Sequence, residues 1–286
     1  MVKTQADKMD MKIALIGAGN VATHLGTALA KVGYSILQVF SRTATSAIAL
    51  TDAINKVYET TIVQHPSCSF TTHLNEVTSE ADLYIVMLKD SVLNEVLPSL
   101  VKCNPNALFV HTAGSVPMSI WENLTTRYGV LYPMQTFSKA QAVDFEEVHF
   151  FIEANSPTDT ELLRSVAGHI STKVFEASSE QRKYLHLSAV FACNFTNHMY
   201  AICEELLRRH GLPFSSMLPL IDETARKVHQ LSPITAQTGP AQRYDTNVMQ
   251  SQESLLKTEE EELATLYHLL SEHIHAYAIK NNINNL

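Results

Sequence analysis

Gly17, Gly19 and Ala22 stand in the spacing G-x-G-x-x-A, directly after the uncharged run 13–16. Residues of these types at these intervals hold a diphosphate. Gly17 permits a tight turn, Gly19 lets main chain approach the phosphates, and Ala22 keeps the following helix close to its strand. Ala18, Asn20 and Val21 complete the loop, whose free N–H groups at the start of a helix would face the anion. Ser41, Arg42 and Thr43 follow the next apolar stretch. An NAD site usually carries an acid there for the ribose hydroxyls. One cation between two hydroxyls suits a 2′-phosphate instead. The expected cofactor is therefore NADP(H), with Ser41, Arg42 and Thr43 on its 2′-phosphate.

A second set of candidates lies far along the chain. Residues 180–206 divide on a helical wheel into two stripes. Tyr184, Phe191, Phe195, Met199, Ile202 and Leu206 make an apolar one. His186, Val190, Cys193, Asn197 and Ala201 make the other, with Asn194 on its flank. This second stripe is polar without charge, whereas a solvent-facing stripe normally carries Lys, Glu or Arg. It is expected to meet either a polar protein surface, as satisfied core groups, or a ligand in a cleft. His186 is the candidate proton donor, because imidazole is suited to proton transfer at neutral pH. Asn194 is the candidate for orienting a substrate or the nicotinamide amide.

Other constellations end strands or fill loops. Leu88, within Met87-Leu88-Lys89-Asp90, and Thr112 and Ala113, within His111-Thr112-Ala113-Gly114-Ser115, follow apolar runs. They are expected at the C-terminal sheet edge beside the cofactor. Arg243, after Thr238-Gly239-Pro240, could hold a substrate carboxylate or pair locally with Asp245 at a helix start. No metal site is expected: His273 and His275 point to different helix faces.

These groups need a scaffold, and periodicity supplies one. Strand patterns at 12–17, 35–40, 60–64, 83–88, 107–111 and 129–132 alternate with helix patterns at 20–32, 44–55, 91–102 and 117–126. A strand at 149–154, a helix at 158–170 and a strand at 172–176 follow. Such alternation predicts a doubly wound, mostly parallel α/β sheet of Rossmann type. From Ser178 the pattern is helical only, opened by a capping box with Gln181 and stopped near Gly211 and Pro213. Helices at 216–230, 245–257 and 259–280 follow, the last opened by Thr258 with Glu261. The expected division is a dinucleotide-binding domain at 11–178 and an all-α substrate or dimerisation domain at 179–286.

Composition narrows the function classes. A net charge of −8 argues against a nucleic-acid surface. The four cysteines form no C-x-x-C pair, so reduced thiols in a cytoplasm are expected. Residues 1–11 have no apolar core and read as a short leader, not a signal peptide. Residues 184–203 carry no Asp, Glu, Lys or Arg, yet hold His186, Ser188, Asn194, Thr196, Asn197 and His198. That polarity favours a buried helix over a membrane span.

The order of these motifs resembles a bacterial family in which a Rossmann-like NADP-binding domain precedes a helical domain of unknown function. The residues that carry it run from Gly17-Ala18-Gly19-Asn20-Val21-Ala22 through Ser41-Arg42-Thr43 and His111-Thr112-Ala113-Gly114. Tyr132-Pro133-Met134-Gln135-Thr136-Phe137, Tyr184-Leu185-His186, Phe191-Ala192-Cys193-Asn194 and Thr238-Gly239-Pro240 continue it. More distantly the layout is similar to pyrroline carboxylate reductases, deazaflavin-dependent NADP reductases and β-hydroxyacid dehydrogenases. That likeness implies hydride transfer with NADP and a helical domain that builds a dimer. One departure stands out. The β-hydroxyacid dehydrogenases carry Lys and Asn one turn apart on the long helix. Here Lys183 is followed by Leu187, and the asparagine comes only at 194.

The expected function is thus an NADP(H)-dependent oxidoreductase acting on a small carbonyl, hydroxyl or imine compound, as a homodimer through its helical domain. The competing expectation is a non-catalytic NADP-binding sensor that acts through that domain.

Overall fold

The computed structural model describes residues 11–61 and 65–283. Its centre is β1 (Lys12–Ile16), whose last four side chains are fully buried. Ile13 and Leu15 enter one apolar cluster, while Ala14 and Ile16 enter another. A strand buried on both faces must be apolar throughout, because successive side chains point to opposite sides.

Around β1 the sheet runs β3-β2-β1-β4-β5-β6-β7-β8. Its other strands are β2 (Ser35–Phe40), β3 (Ser69–Thr71), β4 (Leu83–Val86), β5 (Leu108–His111), β6 (Tyr128–Met134), β7 (His149–Ala154) and β8 (Val174–Glu176). Pairing is parallel from β3 through β6, antiparallel between β6 and β7, and parallel again between β7 and β8. The chain leaves β1 toward one edge and returns to its other side at β4. That reversal opens a crevice at the strand C-termini.

Helices cover both faces. α1 (Asn20–Lys31), α2 (Ala44–Thr60) and α4 (Pro157–Gly168) send Leu25, Leu29, Leu50, Ile54 and Leu163 into the first cluster. α3 (Asp90–Leu100) sends Leu93 and Leu97 into the second, beside Phe109 and Trp121. α1 lies so close to β1 that a Cβ on Gly26 would sit 2.7 Å from Leu15 Cδ1. The doubly wound α/β fold read from periodicity is therefore the fold observed.

Some local readings need correction. Residue 60 belongs to α2, 62–64 lie outside the described residues, and the edge strand is instead Ser69–Thr71. The helix at 117–126 shrinks to a single turn, Met118–Trp121, because Glu122 leaves the helical region at ψ 135° and Asn123 follows with a left-handed φ of 64°. Thr258 caps nothing: it lies inside Thr246–Glu259, where its hydroxyl donates to the Leu255 carbonyl. The extended φ of −161° at Glu260 separates that helix from the next. Residues 1–10 of the leader and 284–286 of the tail lie outside the described residues.

The helical run opens as read, with Ser178 and Gln181 in a reciprocal capping box. α5 (Ser179–Ala189) passes without a break into a wider π-helical stretch, Val190–Phe195, and then into α6 (Thr196–Arg209). Compactness divides the chain at Asn197 and His198, so the first unit contains all of α5 and the π stretch. The expectation of a buried helix is overturned. Tyr184 is 65% exposed and Phe191 62%, and Leu187 and Phe195 are about half exposed. The run is uncharged not because the monomer buries it, but although the monomer leaves it open. No helix among the described residues is long and apolar enough to cross a membrane.

What holds α5 down is Arg182, which is fully buried. Its guanidinium donates to Glu153 Oε2 on β7 at 2.7 Å and to the Val116 carbonyl at 2.7 Å. Ser179 Oγ donates to the same carboxylate oxygen at 2.7 Å and accepts from the Met118 N–H at 2.8 Å.

The second unit is helical: α7 (Leu218–Lys227), α8 (Thr246–Glu259) and α9 (Glu261–Ile283), with single turns at Phe214–Met217, Pro233–Ala236 and Pro240–Arg243. Its buried residues among those described are Ala241, Met249, Ala264 and Ser271, a thin core for its length.

Removing one partner of a buried ion pair strands the other charge. Arg182→Met and Glu153→Gln are each expected to cost about 3–5 kcal/mol of unfolding free energy in urea titrations. A loss below about 1 kcal/mol would show that the pair does not anchor α5.

Candidate functional site

The C-terminal ends of β2, β1, β4, β5 and β6 lie side by side, a span of about 19 Å at about 4.8 Å per strand. The sequence candidates fall on these ends in order.

At β1, Gly17 takes φ +121°, and a Cβ there would stand 2.4 Å from the Met87 carbonyl oxygen. Only glycine meets both demands. Its N–H donates to the Phe40 carbonyl at 2.8 Å, tying the loop to the end of β2. At Gly19 the situation is opposite: nothing lies within 4 Å of a built Cβ. That open space lies at the start of α1, where Gly19 is the N-cap and no side chain caps the helix. Its first-turn N–H groups are thus ready for an anion. Ala18 is buried, Ala22 fully so, while Asn20 is exposed and Val21 half-buried. An adenine dinucleotide diphosphate fits this cradle.

At β2, the Ser41 N–H donates to the Thr71 carbonyl at 3.2 Å, and Ser41 Oγ accepts from the Thr43 N–H at 3.3 Å. Arg42 and Thr43 are exposed, and Arg42 has no ion-pair partner among the described residues. Thr43 is the N-cap of α2, again without a side-chain cap bond. At β4, Leu88 Cδ2 lies 3.4 Å from the built Gly17 Cβ. At β5, the Thr112 N–H donates to the Val86 carbonyl at 3.1 Å, and the Ala113 N–H donates to His111 Nδ1 at 3.2 Å.

At β6 the edge meets α5. Tyr132 Oη and His186 Nδ1 are 3.4 Å apart. Gly114 packs closely against both: a Cβ there would be 2.7 Å from Tyr132 Cζ and 2.9 Å from His186 Nδ1. A cavity of about 360 Å³ opens here, lined among others by Tyr132, Gln135, Thr136, His186, Cys193 and Asn194. No Asp, Glu, Lys or Arg lines it, so its chemistry is neutral hydrogen bonding around one imidazole and one phenol. Asn194 belongs to the π-helical stretch, a distortion frequent at functional sites. Burial pushes the Tyr132 hydroxyl pKa up, against a smaller downward pull from Arg182. A hydroxyl so placed stays protonated and can donate.

Tyr132 and Gly114 were legible only as parts of motifs, with no role attached. Gly26 carried no signal beyond its spacing from Ala22. Arg243 is exposed and lines a separate cavity of about 700 Å³ within the second unit, with Gln237, Gln242, His273 and Tyr277. Asp245 caps α8 by accepting from the Val248 N–H, and forms no ion pair with Arg243 among the described residues. The C-terminal histidines are spent on stacking or pairing. His275 stacks on Tyr244, His273 on Tyr277, and His268 meets Glu253.

These features define a Rossmann-type dinucleotide-binding fold followed by a helical region. Residues 12–114 match the family described as NADP oxidoreductase, coenzyme F420-dependent. Residues 148–274 match a domain of unknown function, DUF2520. A Bacteroides fragilis protein, solved as a candidate NADP oxidoreductase, is 52% identical, with 94% of this chain and 99% of that one covered at a TM-score of 0.86. The chain belongs to the family of that protein. A Thermotoga maritima protein shares the fold at 19% identity and a TM-score of 0.74, with 93% of this chain and 99% of that one covered. A pyrroline carboxylate reductase from Plasmodium falciparum, solved with NADP bound, shares it at 11% identity and 0.56, over 93% and 99%. No curated protein matches the chain.

His111 ties the site to solution pH. Burial, and then the Arg182 charge, push its imidazole from the ordinary 6.5 down to about 3, against a weaker pull from the Pro117 carbonyl. The unfolded chain therefore takes up a proton below pH 6.5 that the folded chain refuses until about pH 3. Stability from this group is present at neutral pH and falls as the solution is acidified through that window. Urea midpoints measured from pH 7 to pH 4 are expected to fall less steeply in His111→Gln than in the parent. Equal slopes would refute the assignment.

Proposed function

We propose that this protein is an NADP(H)-dependent oxidoreductase that moves hydride to or from a small carbonyl, hydroxyl or imine compound. The observation that carries the reading is the order of groups along one sheet edge. An arginine between hydroxyls, without an ion-pair partner among the described residues, stands at β2, an open glycine cradle at β1, and a polar cavity with an imidazole at β6. A dinucleotide laid along that edge would have its 2′-phosphate at Ser41, Arg42 and Thr43 and its diphosphate at 17–22. Its nicotinamide half would pass Leu88, Thr112 and Ala113 toward the cavity. The nicotinamide, when bound, supplies or accepts the hydride.

The chain's own part is positioning and proton handling. His186 holds a proton for the oxygen or nitrogen of the substrate. Its Nδ1 is engaged by Tyr132, which leaves Nε2 for that task. Tyr132, which stays protonated, sets the ring's orientation through its hydrogen bond to Nδ1. Asn194 orients the substrate or the nicotinamide amide. The uncharged lining of the cavity suits a small substrate held by hydrogen bonds, at a site where His186 and Asn194 are exposed in the single chain.

The protein is further read as a cytoplasmic homodimer. The cysteines among the described residues are free. Tyr184, Leu187, Phe191 and Phe195 on the first unit are exposed apolar surface of the kind a symmetric partner covers. Sedimentation at micromolar concentration is expected to give twice the chain mass, and a monomer would count against it.

Thermal shifts test the cofactor. NADPH is expected to stabilise the protein more than NADH, and Arg42→Asp to weaken NADPH by about tenfold or more. No NADPH preference in the parent would sink the phosphate assignment. His186→Ala is expected to lower turnover on an accepted substrate by about a hundredfold or more. Full turnover in both His186→Ala and Asn194→Ala would remove them from the chemistry. Tight NADPH binding with no consumption across keto acids, aldehydes and cyclic imines would favour a sensor.

A further inference from the structure

The segment that leaves β6 returns to the glycine loop and is fastened there. Asn20 Nδ2 donates to the Phe137 carbonyl at 2.9 Å. His24 Nε2 lies 2.8 Å from the Ser138 carbonyl, and the His24 and Phe137 rings are 5.7 Å apart. Asn20 and His24 are one turn apart on α1, so they hold successive carbonyls of the segment against the start of that helix. The next residue, Lys139, extends its ammonium to the Ala18 carbonyl at 3.2 Å.

Lys139 is itself exposed, so its ammonium is open to a ligand arriving at the cradle. Among the described residues Lys139 has no carboxylate partner, and the Ala18 carbonyl is its one polar contact. The carbonyl belongs to the residue just before Gly19, where the space is open. Loop residues 17–22 contain no charged side chain, so their backbone offers dipoles but no full charge to an anion. The protein as a whole carries −8, which repels a polyanionic ligand unless a local cation offsets it.

The geometry points to Lys139 as the counter-charge for the cofactor diphosphate, delivered by a segment that Asn20 and His24 clamp to the cradle. This assignment rests on the dinucleotide reading of residues 17–22. It also distributes labour. Lys139 strengthens binding of NADPH and NADH alike, because both contain the diphosphate. Arg42 distinguishes them, because only one carries a 2′-phosphate.

The test is a set of dissociation constants for NADPH, NADH and adenosine 2′-monophosphate on the parent, Lys139→Gln, Lys139→Arg and Arg42→Gln. Melting temperatures confirm that each variant is folded. Lys139→Gln is expected to weaken NADPH and NADH by the same factor, about fivefold at low ionic strength, with adenosine 2′-monophosphate unchanged. The loss is expected to shrink as salt is raised, and Lys139→Arg to keep most of the affinity. Arg42→Gln is expected to weaken NADPH and adenosine 2′-monophosphate and spare NADH. If Lys139→Gln leaves both dinucleotides unchanged while Arg42→Gln acts as stated, the Lys139 assignment falls and the cofactor reading stands. If Lys139→Gln alters NADPH and adenosine 2′-monophosphate but not NADH, the lysine serves the 2′-phosphate instead and the assignment is again overturned. If the folded parent binds neither dinucleotide, both readings fall.

Discussion

The buried pair between Arg182 and Glu153 sets the position of everything at the β6 end of the sheet. A guanidinium without solvent contact needs partners for its donors. Here both terminal nitrogens are met, by a β7 carboxylate, the Val116 carbonyl and Ser179 Oγ, while Nε has no partner among the described residues. Those partners come from separate segments, so α5 can dock in one register only. His186 follows Arg182 by one helical turn and so arrives against Tyr132 and Gly114. The same guanidinium disfavours a charged His111 and draws the Tyr132 hydroxyl downward against the effect of burial. One interaction thereby places the imidazole and tunes its neighbours.

The other end of the site depends on space rather than charge. Gly17 is held by a left-handed φ and by the Met87 carbonyl, and Gly26 by Leu15. Together they press α1 against β1 and aim its uncapped N-terminus at the crevice. Gly19 differs, because nothing in the protein fills the room its missing side chain leaves. Of these three glycines, packing requires Gly17 and Gly26, while the open space at Gly19 lies at the start of α1.

Between these ends, the cavity is neutral and its walls come from both the sheet edge and the helix. The π-helical stretch at Val190–Phe195 turns Cys193 and Asn194 to the same cavity as His186. Along the same run Tyr184, Leu187, Phe191 and Phe195 present an exposed apolar face. A monomer with a thin second core and such a face has unmet apolar surface, which is why association is part of the functional reading.

The alternation of strands and helices was readable because buried parallel strands must be apolar throughout and amphipathic helices repeat near 3.6 residues. The capping box at Ser178 was readable because its reciprocal bonds lie within four residues. The G-x-G-x-x-A loop and the cation at 42 were readable for the same reason: each is a local pattern with a local physical cause. Short elements governed by local backbone angles escaped, as at Glu122–Asn123 and Glu260, where one or two residues leave the helical region against the side-chain pattern around them. The exposed face of the uncharged helix escaped too, because a lack of charge reports that apolar contact is wanted but not whether this chain supplies it. The meeting of Tyr132, Gly114 and His186, and of Lys139 with Ala18, was decided by strand order and by the docking of α5. Those pairs are 54, 72 and 121 residues apart in the chain, far beyond the reach of any periodicity.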